Sequence, residues 1–79
     1  MTMTQTTKPH QDGGTYTVIA FAGTQNGWAI AITEWTTYRG TVRFEVLRVS
    51  PENKTLRLAT KNTEIEARAY GNEMWRRDR

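Results

Sequence analysis

Between residues 41 and 49, apolar Val42, Phe44 and Val46 alternate with charged Arg43 and Glu45. A period of two puts those sets on opposite faces of a strand and would scatter them around a helix, so this stretch predicts a β-strand with one dry face and one wet face. Residues 16–22 and 28–35 also have the composition of strands, being β-branched, aromatic and small apolar. The link between them, Gly23, Thr24, Gln25, Asn26 and Gly27, is rich in residues that accept the positive φ angles of a tight hairpin connection. Tyr38, Arg39 and Gly40 form a second turn signal. Ser50, Pro51, Glu52, Asn53 and Lys54 form a third, in which proline presets the first angle and asparagine tolerates the second. Leu56 and Leu58, flanked by Thr55 and Arg57, make a fourth short strand. Strands joined only by short turns lie side by side, which predicts an antiparallel meander.

From Thr63 the period changes. Thr63 and Glu66 have the spacing of a capping box, in which each side chain satisfies a backbone N–H left open at a helix start. Glu64 and Glu66 stand at the positive end of the helix dipole, and Arg76, Arg77 and Arg79 at its negative end, which fits a helix over about residues 64–77. Ala67, Tyr70, Gly71 and Met74 share one side, with Trp75 at its border. That stripe is expected to lie on the sheet, with Gly71 allowing the two backbones to approach. The expected fold is α+β: a four-stranded antiparallel β-meander with one C-terminal α-helix packed on one face.

Alternation also assigns faces. Ile19, Phe21, Ile30, Ile32, Val42, Phe44, Val46, Leu56 and Leu58 are expected beneath the helix. The opposite face then carries Tyr16, Val18, Ala20, Ala29, Ala31, Thr33, Trp35, Arg43, Glu45, Leu47 and Arg57, with Arg43 and Glu45 in solvent. Its first-hairpin half is small and almost uncharged, which is unusual for a surface left in water. A second copy, a target protein or the chain's own N-terminal segment could cover it, or the small side chains simply make a plain wet face.

Seventy-nine residues suffice for one core and bury only about 60% of the surface of the unfolded chain. There is no cysteine, which removes disulfides, cysteine–zinc sites and thiol nucleophiles together. Residues 1–14 are polar, contain Pro9, Gly13 and Gly14 and show no periodicity, so a flexible N-terminal tail is expected ahead of a single domain over residues 15–79. The tail lacks the apolar stretch of a secretory signal, and no run is long enough to cross a bilayer; a cytoplasmic protein without a membrane partner is expected. Net charge is +3, and ten of the eleven basic residues fall from Arg39 onward, but six of the eight acidic ones do too. That mixed field differs from the one-sided charge of a strong phosphate binder.

Catalytic chemistry has little to stand on. A hydroxyl or thiol nucleophile needs a base beside it, and the chain offers Ser50 in a turn and His10 in the expected tail. Glu34 and Glu45 are single carboxylates on strands, and no glycine-rich phosphate loop precedes the helix. No cofactor, no metal and no enzymatic activity are expected.

The segment from Ala59 to Met74, with Thr63, Glu64, Glu66, Ala67, Arg68, Ala69 and Tyr70, resembles the last strand and helix of AP2-type plant domains and integrase arm-binding domains. That resemblance implies a sheet-plus-helix architecture and a sheet that reads DNA. The first hairpin supplies arginines to DNA in those families, whereas here it offers alanine, threonine and isoleucine, so the likeness is architectural. In size and lack of catalytic motifs the chain is also similar to accessory proteins of phages and mobile elements, including anti-CRISPR proteins, which implies binding and inhibiting a larger host machine. Two readings follow. One is a non-catalytic protein-binding module that engages a larger protein or nucleoprotein, or a second copy. The other is a nucleic-acid-binding domain using the sheet face and basic helix. Under both, the contact residues expected are Trp35, Tyr38, Arg39, Arg43 and Arg57, with Arg68, Arg76 and Arg77 on the helix.

Overall fold

The computed structural model of the chain describes residues 7–24 and 26–78. It contains, in order, strands β1 (Lys8–Pro9), β2 (Thr15–Gly23), β3 (Ala29–Thr36), β4 (Val42–Val49) and β5 (Thr55–Lys61), followed by helix α1 (Glu64–Asp78). The strands make one antiparallel sheet in the order β1-β2-β3-β4-β5, and α1 packs across β3, β4 and β5. The expected α+β meander is present with one strand more. Lys8 and Pro9, assigned from the sequence to a flexible tail, pair with Tyr16 and Thr15. Proline suits that place because an outermost strand leaves one side of its backbone unpaired. Residues 1–6 of the expected tail, Gln25 of the first turn signal and Arg79 of the helix end lie outside the described residues.

All four hairpins close in one way. His10, Thr24, Thr37 and Ser50 each donate a backbone N–H to the carbonyl four positions on, over 2.7–3.0 Å, and each accepts the N–H three positions on. The residue supplying that second N–H has positive φ every time: Gly13 at 97°, Gly27 at 80°, Gly40 at 85° and Asn53 at 65°. These are three-residue hairpin loops whose last member is left-handed, a conformation open to glycine and tolerated by asparagine. The leading side chain often closes the loop further. Thr37 and Ser50 hydroxyls accept the Thr41 and Lys54 N–H groups, and His10 Nδ1 accepts that of Asp12.

Two bulges correct the face assignment. In β2, Val18 lies opposite Thr33 but Ala20 lies opposite Ile32, leaving Ile19 as an extra residue. Beyond it Ala20 and Ala22 turn toward the helix and Phe21 turns away, 65% exposed, so the expected burial of Phe21 and the expected outward place of Ala20 are both reversed. In β5 the extra residue is Leu58, between Arg57 opposite Leu47 and Ala59 opposite Val46. Leu58 packs against the core, while Leu56, on the outermost strand opposite Arg48, is 58% exposed. Val42, at the start of β4, is also exposed. A bulge opposes two residues to one, so period-two counting fails on its far side.

Ile30, Ile32, Val46 and Ala67 form the buried core, surrounded by Ile19, Ala20, Phe44, Leu58, Tyr70, Met74 and Trp75. Each large apolar side chain fully removed from water contributes about 1.5–3 kcal/mol. The helix start keeps half of the expected capping box: Thr63 Oγ1 accepts the Glu66 N–H at 3.2 Å, while the Glu66 carboxylate takes the Thr63 hydroxyl at 2.9 Å in place of its backbone N–H. Gly71 faces the sheet so closely that a Cβ there would sit 3.2 Å from Ile32 Cδ1 and 3.6 Å from Ile30 Cγ2.

Candidate functional site

On the face away from α1, register builds three rows. Tyr16, Trp35 and Arg43 form the first; Val18, Thr33, Glu45 and Thr60 the second; Phe21, Ala31, Leu47 and Arg57 the third. The turn after β1 folds over the first two. His10 stacks on Trp35 with ring centres 4.0 Å apart and planes 10° from parallel, and meets Tyr16 edge-on at 5.9 Å. Trp35 Nε1 donates to Gly13 O at 2.8 Å. A solvated tail histidine was expected; the structure instead buries His10 against the sheet.

The alternation of Arg43 and Glu45 away from the helix holds, but Glu45 is not in solvent. It is 4% exposed beneath His10. Such a carboxylate is tolerable only when its oxygens are paired. His10 Nε2 lies 2.9 Å from Oε1, the Thr33 hydroxyl donates to Oε1 at 3.2 Å, and Arg57 Nη1 donates to Oε2 at 3.2 Å. Because the Asp12 N–H donates to Nδ1 at 3.0 Å, the ring proton sits on Nε2 and is given to Glu45. Arg57 also reaches Asp12 Oδ2 at 3.4 Å, so it ties the turn to the sheet a second time. The hydrogen bond that Arg57 donates to Glu45 is the main cause raising its guanidinium above its ordinary value, against a smaller opposing effect of burial. Both imidazole nitrogens are engaged, so neither is free to take a substrate proton, and the group acts as a clasp. Beside it a cleft of about 300 Å³ opens between Pro9, Tyr16, Leu47 and Arg57.

Four of the expected contact residues come together at one end of the sheet. Trp35 and Arg43 are register partners, and the loop from Thr37 to Thr41 that joins their strands carries Tyr38 and Arg39. Trp35 is committed inward, as the platform for His10. Tyr38 is 71% exposed, and Arg39 donates to its hydroxyl at 3.1 Å while its guanidinium lies 5.4 Å from the ring centre. Gly13 passes beneath, where a Cβ would be 3.3 Å from Tyr38 Cδ1. Arg43 donates to Val42 O at 3.2 Å. Among the described residues no carboxylate pairs with Arg39 or Arg43.

The other candidates lie apart. Arg57 sits two rows away inside the clasp. Arg68 and Arg77 belong to α1, across the sheet, and are paired with Glu64 at 2.7 Å and Glu73 at 3.0 Å; Arg76 is exposed on the same helix. Glu34 stands opposite Phe44 and Glu45 opposite Thr33, on the two different faces, so they do not form an acid–base pair. Among the described residues no three His, Cys, Asp or Glu side chains are placed to hold a metal ion, and no helix is long and apolar enough to cross a membrane. Comparison with protein-family models, curated proteins and solved structures finds no match to this chain.

Proposed function

We propose that the chain is a non-catalytic protein-binding module that presents Tyr38, Arg39 and Arg43 to an acidic surface on a larger protein, which it blocks or redirects. The observation that carries this is an aromatic ring 71% exposed on a closed hairpin tip, held by a neighbouring arginine that has no carboxylate partner among the described residues. Tyrosine and arginine anchor interfaces because they bury much area with few torsions to freeze, and the hydrogen-bonded loop has already fixed the backbone that carries them. A cysteine-free chain suits a reducing compartment, so we place the encounter in the cytoplasm.

A nucleic-acid reading is less well supported, since Arg57, Arg68 and Arg77 are each neutralised by a carboxylate within 2.7–3.4 Å and leave no basic track. Capture from a nuclease-treated host lysate separates the two readings. The wild type retains a protein that the Tyr38→Ala and Arg39→Ala/Arg43→Ala variants release, while a random-sequence oligonucleotide binds none of them appreciably. Capture that vanishes on nuclease treatment, or an oligonucleotide affinity falling by orders of magnitude as salt rises, overturns the reading.

A further inference from the structure

Contact between the N-terminal strand and β2 reaches past β1 itself. One step beyond Lys8, which lies opposite Tyr16, Thr7 Oγ1 shares a hydrogen bond with Thr17 Oγ1 at 3.2 Å. From Val18 to Ala22 the outer border of β2 pairs with no strand among the described residues, and at its far end the Gly23 carbonyl is taken by the Trp75 indole at 2.8 Å. Beside this stretch α1 leaves a groove of about 310 Å³, floored by Ala20, Ala22, Ile30 and Ile32 and walled by Gly71 and Trp75. Val18 to Ala22 carry no charge and no proline. Such a border recruits other strands through its N–H and C=O groups unless something covers it.

We propose that its occupant is the chain's own segment Met3–Thr6, which continues β1 antiparallel along β2 as far as Ala22 and sets Met3 in the groove beside Trp75. The inference goes beyond the function proposed above and does not use the hairpin tip. Length favours this occupant over a second copy. Six residues precede Thr7, enough to reach the point where Trp75 ends the border. A segment already anchored at Thr7 also pairs within one molecule, at an effective concentration that a second copy does not match.

Face parity fixes the register. Residues directly opposite in an antiparallel pair point to one side of the sheet. Thr17 lies in the row of Glu34 and Phe44, on the α1 side, and Val18 in the row of Thr33, on the other. Thr6 therefore stands opposite Val18. Ile19 and Ala20 both pack toward the core, so one residue, Gln5, faces the two of them across the bulge. Thr4 then falls opposite outward Phe21 and Met3 opposite Ala22. Residues 1–6, without a period when read alone, sort on this phase into Met1, Met3 and Gln5 toward α1 and threonines on the outer face. An unbranched methionine suits an irregular groove beside an indole, and Ala22 is small enough to lie beneath it. A slip of one residue would put a threonine there instead.

The chain has no cysteine, so paired thiols report the register in the full-length protein. Directly opposite residues have the spacing a disulfide needs. With oxidised glutathione in dilute solution, Met3→Cys/Ala22→Cys is expected to close an intramolecular disulfide at least about tenfold faster than Thr4→Cys/Ala22→Cys, whose thiols lie on opposite faces. Hydrogen exchange tests the unaltered chain. Of the neighbouring amides of Phe21 and Ala22, one points to β3 and the other to the outer border, and both are expected to exchange at least about tenfold slower than in a free chain. Equal closure rates, a faster Thr4 variant, a disulfide that forms between two chains, or one of the two amides exchanging at the free-chain rate overturns the proposal.

Discussion

Replacing His10 with alanine tests whether the N-terminal turn is part of the fold. The imidazole donates to a carboxylate that is 4% exposed, at 2.9 Å, and covers Trp35 at 4.0 Å. A hydrogen bond to a charged group contributes about 1.5–3 kcal/mol and a ring pair about 0.5–1.5 kcal/mol. The Asp12 N–H that loses its acceptor is exposed and turns to water, so it adds little. Thr33 and Arg57 remain on Glu45 and keep the loss below that of an orphaned buried charge. The expected destabilisation is about 2–4 kcal/mol, a large share of the roughly 5–15 kcal/mol that holds a domain together. At about 4–8 °C per kcal/mol, the midpoint falls by about 8–32 °C. Urea unfolding followed by tryptophan fluorescence reads this directly. A double-mutant cycle of His10→Ala with Glu45→Gln should show a coupling of about 1 kcal/mol or more. A His10→Ala loss under about 0.5 kcal/mol, or additive variants, would refute the clasp.

The glycines of the first hairpin should differ sharply from that of the third. A Cβ on Gly14, at φ +76°, would lie 2.0 Å from Thr36 O, so Gly14→Ala should cost at least about 2 kcal/mol and unseat β1, whereas Gly40→Ala, with nothing within 4 Å, should cost only about 1 kcal/mol for its positive φ. In the core, Val46→Ala at 0% exposure should cost roughly 2–3 kcal/mol by denaturation, and Leu56→Ala under about 1 kcal/mol; equal losses would contradict the exposure of Leu56 on the outermost strand.

Several of these contacts were legible in residue order and others were not. The signal for the missed hairpin was present: His10, Gln11, Asp12 and Gly13 share with Thr24 to Gly27, Thr37 to Gly40 and Ser50 to Asn53 a polar leading residue and a fourth residue fit for positive φ. It was obscured because the strand before it, Lys8–Pro9, is too short to show any period. The exposure of Tyr38 and Arg39 was legible because a hairpin tip exposes its side chains whatever surrounds it. The covering of Trp35 was not legible, because it comes from the returning turn, whose Gly13 carbonyl takes the indole N–H.

By itself the sequence determined strands β2 to β5, the turns between them, the helix and its buried stripe, since each rests on periods and backbone preferences acting within a few residues. Tertiary structure alone decided the positions of the two bulges, the outward turn of Phe21 and the burial of Glu45 beneath a histidine 35 residues away in the chain. Those outcomes depend on how the sheet bends under α1 and on which distant side chains then meet, and no local pattern encodes either.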